Sequence, residues 1–215
     1  MKKLSTATAI LICAIMSLAH ASDLKPIQLK KPDMSRKGTL MEALSKRQTT
    51  REFDSKMITD QELSDLLWAA NGINRPAEGK RTAPSAMNAQ DIDIYVLTAQ
   101  GVYLYDAKKN TLGPVTSGDH RALISSAQTF VATAPVNLML VSDLSRFTRA
   151  DEASKPGMAA MDAGIVSQNI SLFCASVGLA TVARAFIDHD KITPFLKLKP
   201  EQKLLLNHPV GYPKK

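Results

Sequence analysis

Apolar residues along this chain recur with two periods, and the switching between them divides the sequence into elements. Leu40, Met41, Ala43 and Leu44 predict a short helix. A second helix begins where Thr59 and Glu62 stand at capping-box spacing, with Leu63, Leu66, Leu67 and Ala70 following at helical intervals. Residues 71–90 contain Gly72, Pro76, Gly79 and Pro84 and read as a long loop, and loops of that length in a compact domain are often functional. Residues 92–98 and 102–105, joined by Ala99-Gln100-Gly101, predict a β-hairpin. Residues 136–142 (VNLMLVS) are almost continuously apolar, as in a strand covered on both faces. The longest helical signal lies between Met158 and Val177. There Met161, Ile165, Ile170, Phe173, Cys174 and Val177 fall near a 3.6-residue period and Gly178 is placed as the stop. Residues 179–186 predict a strand, and residues 203–212 (KLLLNHPVGY) a last one that Pro209 demotes or bends. With no internal repeat or linker, the pattern predicts one α+β domain with a mainly antiparallel sheet.

The first 21 residues follow a different logic. Lys2 and Lys3 precede an apolar stretch at residues 7–18 and a small-x-small site at Ala19-His20-Ala21, the layout of an export signal cleaved after Ala21. The apolar stretch is too short for a permanent membrane span and no second one follows, so a soluble mature chain is expected, periplasmic or otherwise exported. Cys13 follows Ile12, where a lipoprotein signal wants a small residue. The expected plan is a signal at 1–21, a polar arm at 22–38 and one domain at 39–215. The chain carries a net charge of +7, two of which leave with Lys2 and Lys3. The remaining excess is scattered, which together with export argues against a nucleic-acid partner. The mature chain keeps one cysteine, Cys174, which cannot form an internal disulfide.

Three stretches contain residues suited to ligand chemistry. Arg47, Gln48, Thr49 and Arg51 sit in KRQTTREF, where a short helix should be ending. Arginine grips phosphate with a planar fork of donors, and neutral donors between two arginines add hydrogen bonds without cancelling charge. A solvated helix C-terminus would carry the same cations. The second stretch, Pro84-Ser85-Ala86-Met87-Asn88-Ala89-Gln90, combines small residues with donors and acceptors that suit the edge of a polar heterocycle, or simply forms a turn. The third, GLATVARAF at 178–186, lets backbone approach a ligand closely and places Arg184 in an apolar run, or is a buried strand with a snorkelling arginine. Asp188-His189-Asp190 lacks a second cluster to complete a metal site, and Asp188 or Asp190 suits the cap of a helix beginning near Lys191. Cys174 lies on an apolar stripe, as a buried inert thiol does. His120 and His208 show no Ser or Cys partner arrangement.

In this order and at these separations, the three stretches resemble the FMN-dependent nitroreductase superfamily, most closely its thiazole- and oxazole-forming dehydrogenase branch. Arg47-Gln48-Thr49-Thr50-Arg51-Glu52-Phe53 is similar to the family's Arg-x-Ser-x-Arg-x-Phe opening. Pro84–Gln90 is similar to Pro-Ser-x-x-Asn-x-Gln, and Asp162-Ala163-Gly164, Gln168-Asn169 and Gly178-Leu179 to its central helix and following strand. Ile94-Tyr95-Val96 and Val102–Asp106 resemble the hairpin of that branch, and the likeness runs from about Thr39 to Lys215.

The resemblance implies a nitroreductase-like fold, a central mainly antiparallel sheet flanked by helices, in an intertwined homodimer with two FMN at the interface. It implies that Arg47, Gln48 and Thr49 bind the FMN phosphate and ribityl chain. Arg51 would lie near the pyrimidine edge, where a cation favours the reduced flavin. Pro84, Ser85, Met87 and Asn88 would meet the ring from the partner subunit, and the backbone of Arg184, Ala185 and Phe186 would approach N5. Lys214 or Lys215 would return to the phosphate. The implied activity is ping-pong hydride transfer through flavin N5 on a small-molecule substrate, with no side-chain nucleophile. The electron source would be NAD(P)H or, because nicotinamides are cytoplasmic, the substrate itself or a redox-partner protein. A catalytically idle flavin- or ligand-binding member of the same fold is the alternative. Asp91 stands where the family usually has proline, and Ala185-Phe186 where many members have a glycine, which narrows the space over the flavin.

Overall fold

The apolar run at residues 136–142 becomes β7 (Val136–Asp143), a strand whose first seven residues are all buried. Both of its faces are covered, as the lack of alternation required. Val136, Leu138 and Leu140 join a core built on α2 (Asp60–Asn71) and α5 (Lys155–Val177). Met139 and Val141 face the other way, into a second core with α3 (Arg121–Ser125), α4 (Phe130–Thr133) and α6 (His189–Leu196). These elements belong to a computed structural model that describes residues 24–125 and 128–215; the expected signal at 1–21 lies outside the described residues.

Around β7 stand β1 (Ile27–Gln28), β4 (Ile92–Leu97), β5 (Gly101–Asp106), β6 (Thr111–Ser117), β8 (Ala180–Thr181) and β9 (Gln202–Gly211). The order is β1-β6-β5-β4-β7-β9-β8, and every neighbouring pair is antiparallel. A separate ribbon of β2 (Ile73–Arg75) and β3 (Lys80–Arg81) occupies part of the stretch expected to be loop. The expected hairpin is β4–β5, and the helix at 40–44 is α1 (Leu40–Lys46). Both α1 and α2 begin with a complete capping box, Thr39 with Glu42 and Thr59 with Glu62.

Three elements differ from the sequence expectation. β9 is not broken at Pro209 but runs ten residues through the sheet interior. The Pro209 carbonyl faces β8, accepting from the Thr181 hydroxyl at 2.9 Å, so its missing N–H faces the same side, just past the short β8 ladder at Val210 and Gly211. Residues 179–186 form only the two-residue β8 plus an isolated bridge between Arg184 and Asn207. On α5, Ile170 and Cys174 are buried, but Met161 is 63% and Ile165 36% exposed, so the expected single apolar stripe is in fact two faces.

Candidate functional site

The segment KRQTTREF leaves α1 at Arg47 and runs in extended form along a ledge made by β8 and the tail after β9. Thr50 N–H donates to the Thr181 carbonyl at 3.1 Å, Asp54 N–H to Tyr212 at 2.9 Å and Lys214 N–H to Glu52 at 3.2 Å, while Phe53 bridges Pro213. The tail is tied further by Tyr212, whose hydroxyl donates to the capping-box carboxylate of Glu62 at 2.7 Å. Backbone bonds and the buried ring of Phe53 hold the segment. Arg47, Gln48, Thr49 and Arg51 are all exposed and make no side-chain hydrogen bond or ion pair among the described residues. Behind the ledge lies a hollow of about 210 Å³, lined by Lys46, Gln48, Thr50, Gly178, Ala180 and Pro213 among others. Gly178 closes α5 at φ +76°, a left-handed conformation that glycine adopts without strain, and this turns the chain directly into β8. Three of the predicted stretches, the arginine turn, the glycine-led strand and the C-terminal lysines, therefore meet at one end of α5.

The interior beneath the ledge is polar but closed. His208 is fully buried between the Ser167 hydroxyl at 2.8 Å and the Thr181 hydroxyl at 3.2 Å. Burial pushes its pKa down to about 3, so the ring is neutral. The serine partner that sequence reading did not find is thus present, but no substrate can reach it. Cys174 is buried on the same helix, and burial raises its thiol pKa far above the ordinary range. Arg184 also turns inward. Its guanidinium donates to Gln128 Oε1 at 2.5 Å, Asn207 Oδ1 at 2.9 Å and the Phe186 carbonyl at 3.2 Å, and lies 5.8 Å from the Phe130 ring centroid. Its backbone N–H and carbonyl are both bonded to Asn207. The groups of this stretch left for a ligand are those of Ala185 and Phe186, both exposed, Phe186 by 60%.

Residues 84–90 occupy the opposite end of α5. Met87, Asn88 and Gln90 all have φ near +50°, which for non-glycine residues costs about 1–3 kcal/mol each. The surroundings over-determine the loop. Ala86 N–H is received by both oxygens of Asp162, at 2.9 and 3.1 Å, and Gln90 N–H by the Ser85 hydroxyl at 2.8 Å. Arg81 donates to Gln90 Oε1 at 2.9 Å, Arg146 to the Gln90 carbonyl at 2.8 Å and Arg149 to the Met87 carbonyl at 3.3 Å. Held this way, the side chains of Met87 and Asn88 point out from an exposed crest. Asp91, next along the chain, is fully buried. Its Oδ2 accepts from the Ser142 hydroxyl at 2.5 Å, and burial, with Asp162 alongside, raises its pKa to about 7 even though the Ser142 bond opposes the rise. Asp91 and Asp162 did not stand out in the sequence as a pair, because 70 residues and every element from β4 to β7 separate them.

The spacing between the two regions is set by the helix. Asp162 precedes Gly178 by sixteen residues, or about 24 Å at 1.5 Å per residue. Within one chain the arginine turn and the 84–90 crest are too far apart for a small ligand to touch both. A cleft of about 760 Å³ lies elsewhere, where β4 and β5 pair over only three residues and then splay around Arg81, Gln90 and Arg146. Among the described residues no group of His, Cys, Asp or Glu is arranged to hold a metal.

Comparison with known proteins agrees with this geometry. Residues 44–212 match the model of the Nitroreductase family. A candidate nitroreductase of Methanocaldococcus jannaschii is 33% identical over 181 residues, covering 80% of this chain and 90% of that one. The crystal structure of a candidate nitroreductase from Ralstonia eutropha superposes with a TM-score of 0.84 at 33% identity, covering 90% of this chain and 92% of that one. A nitroreductase family protein from Streptococcus pneumoniae shares the fold at 19% identity, with a TM-score of 0.61 over 82% and 92% of the two chains. The shared fold is a mainly antiparallel sheet flanked by helices, and the chain belongs to the nitroreductase family of oxidoreductases.

Proposed function

We propose that this protein is an exported FMN-dependent oxidoreductase that works as a homodimer. The observation that carries the reading is the arginine turn: four donor side chains, two of them guanidinium, project from a segment held by backbone bonds to β8 and the C-terminal tail. Such a set suits a phosphate followed by a polyol chain. Arg47 and Thr49 bind the phosphate and ribityl end, assisted by Gln48 and by Lys214 or Lys215. Arg51 supplies positive charge that favours the reduced flavin. Ala185 and Phe186 cover the ring and restrict which small molecules enter. When bound, FMN supplies hydride transfer at N5 in two half-reactions, one with a donor and one with an acceptor.

Two features favour a dimer. The 84–90 crest stands about 24 Å along α5 from the turn, so Pro84, Ser85, Met87 and Asn88 reach a flavin only on a partner's ledge. Leu40, Met41 and Met161 are 64, 73 and 63% exposed, apolar surface that a second copy would cover. Purification of the chain beginning at Ser22 tests the proposal: a yellow protein with flavin absorbance and the mass of a dimer is expected. Bleaching by NADH without oxygen would assign a nicotinamide donor; a flavin that stays oxidised would point to the substrate or a redox-partner protein as the electron source. Colourless protein that takes up no added FMN would overturn the proposal.

A further inference from the structure

Asp91 and Asp162 present an unusual balance of charge. Asp91 Oδ1 is buried and has no hydrogen-bond partner among the described residues, while its Oδ2 is occupied by Ser142. Asp162, 3% exposed, lines the same small cavity as Asp91 and uses both oxygens on Ala86 N–H. The space between them, shared with Asn71, Ser85 and Gln90, is about 10 Å³, barely that of one water. The neighbouring charges are already committed. Arg146, in the turn after β7, pairs with Asp93 of β4 at 2.7 Å and Asp143 of β7 at 3.5 Å. Arg81 of β3 donates to Gln90 and to the Asn71 carbonyl at the end of α2. No cation touches either carboxylate among the described residues. Two ionised carboxylates in so dry a space repel strongly, and one proton between them removes the repulsion and satisfies the orphaned oxygen.

We infer that a proton carried on Oδ1 of Asp91 and facing Asp162 makes the two a positioning pair that holds the strained 84–90 crest in its ligand-ready shape. The link is direct, since the carboxylate of Asp162 receives Ala86 N–H and the chain turns from Gln90 straight into Asp91. The direction of the pH effect follows from linkage. Asp91 binds the proton more tightly when the crest is closed than when it is open, so opening becomes more favourable as pH rises from the ordinary aspartate range to that of Asp91, then levels off above neutrality. The part this crest plays in flavin binding rests on the function proposed above; the proton on Asp91 does not.

Hydrogen exchange by mass spectrometry on the full chain, from pH 5 to 8.5 and corrected for intrinsic rates, tests the pair. Protection of the peptide spanning residues 84–90 should fall about tenfold per pH unit on the acidic side and flatten above about pH 7. Asp91→Asn, which presents a permanent donor to Asp162, should be flat throughout. Ser142→Ala, which removes the bond favouring ionised Asp91, should move the plateau to higher pH. Flat wild-type protection, or the same slope in Asp91→Asn, overturns the inference. Flavin affinity followed over the same range separates the two proposals: a pH step in exchange with none in affinity leaves the proton pair standing and removes the crest from the flavin site.

Discussion

Arg47 and Arg51 on one side and Arg184 on the other are the same residue in opposite circumstances. The first two stand on a ledge held by backbone bonds, with their guanidinium groups exposed to water. Arg184, 5% exposed, spends its side chain on Gln128, Asn207 and Phe186, and its backbone on Asn207 again. A cation can bind a ligand or hold a fold, and the distribution of its hydrogen bonds tells which.

The largest expected effect breaks the internal arginine. Arg184→Ala leaves Gln128 Oε1 and Asn207 Oδ1 without their donors and should cost about 2–5 kcal/mol, read as a fall in the urea midpoint at unchanged slope. Arg47→Ala should leave that midpoint within about 0.5 kcal/mol of wild type. It should instead weaken FMN binding about 10- to 100-fold, the worth of one charge-assisted contact, in a fluorescence titration. If the two variants exchange phenotypes, the division between ligand-binding and fold-holding arginines is wrong. Arg51→Ala sharpens the contrast within the turn. It should keep most of its flavin and lower the reduction potential by tens of millivolts, about 30 mV for each 1.4 kcal/mol of lost preference for the reduced form, measured against a reference dye.

The smallest effect compares two buried titrating groups. His208, held down at about 3, makes the fold lose stability as pH falls from about 6.5 toward 3, because the unfolded chain takes up the proton first. Asp91, raised to about 7, acts in the reverse sense: its contribution is complete below the ordinary aspartate range and declines as pH rises to neutrality. Over the window they share the two slopes oppose each other, so urea midpoints should stay nearly level across the acidic range, whereas Asp91→Asn removes the falling contribution and should leave midpoints that rise with pH up to the ordinary histidine range.

What the sequence made legible was local. The capping box of Thr59 and the continuous run of β7 each declare themselves within a few residues. β6 did not, because its Gly113 and Pro114 are strand breakers tolerated only where β5 pairs around a register shift. The two-residue β1 and the four- and five-residue α4 and α3 are too short to carry a period. The same limit governs the site. The arginine turn could be picked out from charge spacing, whereas the inward turn of Arg184 depends on Gln128 and Asn207, 56 and 23 residues away. The pairing of Asp91 with Asp162 and of His208 with Ser167 likewise depends on where the sheet places α5.

The ledge itself has a consequence for how the molecule comes together and apart. Its bonds join Thr50 to Thr181, Phe53 to Pro213 and Asp54 to Tyr212, separations of well over a hundred residues, whereas the β4–β5 hairpin closes over three. Such contacts carry a large loop-closure cost and form after the rest of the sheet is in register. A ligand seated on the ledge then fastens contacts absent from the folding transition state. It should act as a clasp, slowing escape from the native state while leaving the speed of folding almost untouched.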